Sequence, residues 1–213
     1  MNTRGQAEAL SLILIVAILL VVIILTYVWG RGLFESQRTR STVDYVTSKL
    51  FEIRGAILAV SHEGVNSSRV VQLDVPVGEL IVLNGTFCSS NRMSENLIAF
   101  NITTTSKLIE SEDWISIDPT ESNSSCNAGY EGSSASVLMG KTEKIGTSYT
   151  NSYSLWFRNL TQSNGASNNF YVINITPGTT TKVSGGSHRV VVRNAGTTNV
   201  SYTIYTSIQV DIV

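Results

Sequence analysis

Residues 10–29 read LSLILIVAILLVVIILTYVW, a run in which Ser11 and Thr26 are the interruptions to an otherwise apolar stretch. No charged residue lies between Ala9 and Gly30. At about 1.5 Å of rise per residue, a helix over this run crosses the roughly 30 Å hydrocarbon core of a bilayer. A cleavable secretory signal carries a shorter apolar region, about 7–15 residues, closed by small residues. Here Trp29, Gly30 and Arg31 follow, so removal after the run is disfavoured.

Working outward, nothing forces the helix to stop where the apolar run ends, because the first proline is Pro76. Gly30 and Gly32 weaken it by about 1 kcal/mol each relative to Ala. Beyond them Val43, Val46, Leu50, Ile53, Ile57 and Val60 recur at spacings of three and four, a heptad-like stripe. Tyr45, Phe51 and Leu58 lie off that stripe and give the segment a second face to bury. Gly64 is the expected stop. The chain is thus read as one helix over residues 6–63, roughly 85 Å long, with a hydrophobic part (6–30) and an amphipathic stalk (31–63).

From Val65 the period changes to alternation, in short runs bounded by Gly, Asn and Ser. Strands are predicted at Val70–Val75, Leu80–Leu83, Asn96–Thr103, Ser154–Phe157, Asn169–Ile175 and Arg189–Arg193. A last strand is predicted to carry Val200, Tyr202, Ile204, Ile208, Val210 and Ile212 on one face. Residues 106–150 read as long surface loops with one hairpin. The expected fold is therefore α+β: a long hydrophobic N-terminal helix followed by an antiparallel, immunoglobulin-like β-sandwich over residues 65–213.

A formal net charge of -1 provides no basic footprint for nucleic acid. Cys88 and Cys126 either form one disulfide, worth about 4 kcal/mol on a chain-entropy argument, or remain two thiols. Seven N-x-S/T sequons, at Asn66, Asn84, Asn101, Asn123, Asn159, Asn174 and Asn199, all follow the helix; they are candidate N-glycosylation sites if this half lies outside the cell. The histidines, His62 and His188, have no ligand or triad neighbour at diagnostic spacing, and no catalytic motif is present. We expect no enzyme and no cofactor. Glu110, Glu112, Asp113 and Asp118 cluster around Trp114, either as a solvated acidic loop or as oxygen ligands for calcium.

Glu8, at the mouth of the apolar run, either meets a cation such as a free N-terminal amine or complements the helix dipole. Arg4-Gly5-Gln6 followed by Ala7-Glu8-Ala9-Leu10 and the aliphatic run resembles the class III signal peptide of archaeal type IV prepilins and archaellins. The resemblance covers about the first 30 residues and implies recognition at Arg4 and Gly5, loss of residues 1–5, and Gln6 as the new N-terminus. Glu8 is then third in the mature chain, where many relatives place the acid fifth. It further implies a prepilin peptidase, an assembly ATPase and a membrane platform protein as partners.

Arg31, Arg38 and Arg40 outnumber Arg4, so the positive-inside rule alone would hold the β half in the cytoplasm. The sequons, the cysteine pair and the resemblance place it outside. On this reading the chain is inserted in the membrane as a precursor and then joins identical subunits in an extracellular filament for adhesion or motility. Leu10, Leu12, Ile13, Ile15, Val16, Ile18, Leu19, Val22, Ile23, Leu25, Val28 and Trp29 would form the filament core. The rivals are a membrane-anchored binding or archaellum accessory protein with a β-sandwich, and a stalked carbohydrate-binding domain using Trp114 and Trp156.

Overall fold

A computed structural model describes residues 3–84, 96–121, 129–130, 134–163 and 168–213. Among the described residues there is one helix, α1, which runs Thr3–Glu63. The chain divides into two compact units, Met1–Ser41 and Thr42–Val213, and each is treated by itself.

In the second unit, α1 residues Val46, Leu50, Ile53, Ile57 and Val60 are 0 to 1% exposed, as the spacing of three and four predicts. Phe51 and Leu58 pack half-buried against the same core. Tyr45 stays at the rim, where its hydroxyl accepts the Asp74 N–H at 3.1 Å. Each fully buried aliphatic contributes about 1.5–3 kcal/mol, so this face fastens the helix to the sheet. Gly64, at φ 95, ends α1 in the left-handed region that glycine tolerates.

The strands are β1 (Ser68–Leu83), β2 (Leu97–Thr104), β3 (Ile115–Ser116), β4 (Gly129–Tyr130), β5 (Ser136–Ile145), β6 (Ser148–Phe157), β7 (Leu160–Ser163), β8 (Asn168–Pro177), β9 (Lys182–Val200) and β10 (Thr203–Ile212). They join in one sheet of order β3-β5-β6-β2-β1-β9-β10-β8-β7-β4. Pairing is antiparallel except for β10 with β8 and β4 with β7. The fold is α+β and rich in sheet. Hydrogen bonding is continuous through ten strands, where alternation alone suggested two facing sheets.

Two predicted strands are in fact one. Val70–Val75 and Leu80–Leu83 are the two arms of β1, joined through a register shift between Val75 and Glu79. Gly78, at φ 100, makes the bend possible. The first arm pairs with β9 and the second with both β9 and β2, so β1 turns the sheet. The sheet folds over far enough for Asn96 to bridge two strands that are not neighbours in the ladder. The Asn96 side-chain amide donates to Phe157 O at the end of β6 at 2.9 Å and to Ile173 O in β8 at 2.8 Å. Its carbonyl accepts the Ile175 N–H at 2.7 Å. Four strands separate β6 from β8 in the ladder.

Two further expectations are corrected. The stretch 106–150, expected as long surface loops with one hairpin, holds β3, β4, β5 and the start of β6, and Leu138 and Ile109 from it enter the core; the hairpin is β5–β6, with Gly146 at φ 62 in the turn. The last strand begins only at Thr203, because Ser201 (φ 56) and Tyr202 form the two-residue turn from β9. Ile208, Val210 and Ile212 are buried, while Val200, Tyr202 and Ile204 are exposed.

Candidate functional site

Unit 1 presents the apolar helical surface. Leu12, Ile13, Ile15, Val16, Ile18, Leu19, Val22, Ile23, Leu25, Val28 and Trp29 are all exposed, from 49% at Val16 to 77% at Trp29. Leu12–Arg31 is long and apolar enough to cross a membrane, and none of it is buried. Thr26, a polar position within it, donates its hydroxyl back to Val22 O at 2.8 Å. That bond satisfies the group on its own helix and leaves the surface dry in character. A groove of about 630 Å³ along one side is lined by Val22, Ile23, Thr26, Tyr27, Gly30, Arg31, Phe34 and Arg38.

Arg4, Gly5, Gln6, Glu8 and Leu10 lie on α1; their side chains are outside the description. Cys88, Cys126 and Asn123 also fall outside the described residues. The remaining sequons separate by setting. Asn66, Asn84 and Asn199 are exposed, whereas Asn101, Asn159 and Asn174 are half-buried. Asn101 Nδ2 reaches Glu79 Oε1 at 3.4 Å, and the Asn174 Oδ1 is buried with no hydrogen-bond partner among the described residues.

In unit 2, charge is used to hold elements together. Arg54, on α1, meets Asp118 at 2.6 Å and also donates to the Ser134 hydroxyl. Asp118 further accepts the Thr120 N–H at 2.9 Å and hydroxyl at 2.7 Å, and the Leu138 N–H at 3.3 Å. Burial pushes its pKa up, but the Thr120 bonds, Arg54 and Leu138 together hold it below the usual range. Arg158, 1% exposed, donates to Glu121 at 2.7 Å and to Ser134 O at 2.9 Å. These pairs pin the 118–121 and 134 segments beside the helix. Burial, and secondarily the charge of Asp44, pushes the Tyr153 phenol up to about 12.

The remaining sequence candidates resolve differently. Asp118 is committed to Arg54, which removes it from the acidic cluster around Trp114. Among the described residues, no three His, Cys, Asp or Glu side chains gather into a metal site. Trp156 is 1% exposed and sits in a core cluster with Leu97, Ala99, Val137 and Met139, so it cannot line a sugar groove. Trp114 packs against that cluster, with Lys141 Nζ 5.2 Å from its ring centroid. His188 Nε2 is occupied with Gly185 O at 2.7 Å.

Arg54, Asp118, Arg158 and Asn96 were not singled out as structural contacts from sequence. The named side-chain partners of Arg54, Arg158 and Asn96 lie 24 to 80 residues away, and no local spacing signals such pairs. No protein-family model, curated protein or solved structure matches the chain.

Proposed function

We propose that the chain is a structural filament subunit of the archaeal type IV pilin kind, polymerising through α1 with the β unit on the filament surface. One observation carries the reading: the apolar run of unit 1 is exposed along its whole described length, while the continuing helix buries Val46, Leu50, Ile53, Ile57 and Val60 of its own apolar stripe to 0–1%. Exposed aliphatic surface of this extent is not stable in water and must be covered by lipid or by other chains. An anchor needs only the length of a bilayer, yet α1 extends to Glu63. Copies of the same helix supply a dry environment of the same chemistry.

On this reading the precursor waits in the plasma membrane, loses residues 1–5, and enters an extracellular filament used for adhesion or motility. A prepilin peptidase, an assembly ATPase and a membrane platform protein are the implied partners. The folded-over sheet serves as an immunoglobulin-like sandwich, a role supported by the Asn96 bridge between β6 and β8. Filaments sheared from cells of the source organism test the reading. The expected result is this polypeptide as their main component, beginning at Gln6. A chain found only as a detergent-extracted membrane monomer overturns it and favours the anchored binding protein.

A further inference from the structure

The groove beside the apolar run joins two kinds of surface. Its walls are two neighbouring helical rows at four-residue spacing, Val22-Thr26-Gly30-Phe34-Arg38 and Ile23-Tyr27-Arg31. The first row drops in height at Thr26 and Gly30. Thr26 keeps its hydroxyl on Val22 O, and a Cβ added at Gly30 would meet no side chain but that of Phe34, at 4.0 Å. Tyr27 and Phe34, 68 and 73% exposed, therefore stand on either side of a notch. Below it the lining is aliphatic, and above it are two guanidinium groups.

The notch falls where a membrane would end. Leu12–Arg31 is the span long enough to cross a bilayer, so Tyr27 and Arg31 stand at its edge. Arg38 lies about 10 Å further along the helix axis. Headgroups occupy about 5–8 Å beyond the hydrocarbon on each side, and an arginine side chain reaches back over such a distance. Between Gly30 and Ser41 the chain carries Arg31, Arg38 and Arg40 against Glu35 alone. A second copy inserted in the same direction would bring the same arginines to the same depth, where like charges repel. An anionic lipid brings the opposite charge, and an apolar tail that matches the lower lining.

We propose that this groove binds one anionic phospholipid of the leaflet next to the β unit. Its phosphate sits between Arg31 and Arg38, and the upper part of one chain enters the notch at Gly30, against Val22, Tyr27 and Phe34. A cavity of about 630 Å³ accommodates that part of a lipid. Arg31 and Arg38 are engaged elsewhere as well, but a guanidinium has several N–H donors and serves more than one acceptor. The inference rests on the precursor stage of the filament reading, in which α1 lies in the membrane, and it needs no polymer.

Native mass spectrometry of the full chain, released from bilayer discs of equal parts phosphatidylglycerol and phosphatidylcholine, tests the site. The expected result is one phosphatidylglycerol retained per chain. Arg31→Gln and Arg38→Gln should each lower its preference over phosphatidylcholine by about fivefold, the effect of one interfacial charge. Gly30→Leu, which keeps both charges and favours the helix, should fill the notch and lose the retained lipid. Equal retention of the two lipids overturns the proposal. Undiminished retention in Gly30→Leu also overturns it, by reducing the effect to charge at the interface, and so does a lipid-free dimer, which would put a second copy in the groove. A chain that holds the lipid but never enters filaments keeps the site and loses the subunit role. One that polymerises without a lipid preference loses the site alone.

Discussion

The Asp118 carboxylate shows how much a single residue holds. It joins α1, through Arg54, to Thr120 and Leu138. Removing one partner of a buried ion pair leaves the other charge uncompensated, at a cost of about 3–5 kcal/mol, and Asp118→Ala is expected to lose that much in chemical denaturation. Because Asp118 titrates below its ordinary 3.8, the unfolded chain binds its proton first as pH falls. Its contribution is therefore complete above about pH 4 and is lost below it, and Asp118→Asn should flatten the acid limb of a stability-versus-pH curve. Tyr153 works at the other extreme. Its pKa moves from 10.0 to about 12, so its contribution is present below pH 10.0 and disappears as pH rises towards 12. Tyr153→Phe should remove that alkaline loss.

Among the elements, α1 and β1 show opposite uses of glycine. Gly55 lies on an exposed helical position where an added Cβ meets nothing within 4 Å, so its flexibility serves no contact. Gly55→Ala is expected to raise stability by about 0.5–1 kcal/mol, measured as a higher thermal midpoint. Gly78 has φ 100, and a Cβ there would stand 2.6 Å from Asn101 O. Gly78→Ala is expected to cost about 1–3 kcal/mol through strain at the bend of β1. The same element shows why two strands were predicted where one exists. The Pro76-Val77-Gly78 interruption reads locally as a turn, yet β9 pairs with both arms and carries the ladder across it.

At the scale of the molecule, the two units differ in where their apolar surface goes. Every buried hydrophobic residue among those described lies at Val46 or beyond. Residues 42–213 expressed alone are therefore expected to be soluble, folded and monomeric, checked by circular dichroism and light scattering. In the full chain, Leu19→Arg should abolish filaments, since a charge in a dry helix bundle has no partner, while leaving the melting of the β unit unchanged. Loss of that melting transition would show that the apolar run also supports the fold.

What the order of residues alone determined is the part governed by local period. The uncharged run 10–29, the stripe from Val43 to Val60, the stop at Gly64 and the alternation that follows are each legible from neighbours within one or two turns. Tertiary structure decided what depends on distant partners. Asn96 reaches Ile175, Arg54 reaches Asp118, and β9 bridges the bend in β1, none with a signature in spacing. It also separated the sequons, because exposure is set by which strands enclose an asparagine and not by the tripeptide that contains it. Periodicity records which side of an element is apolar; only folding settles what that side meets.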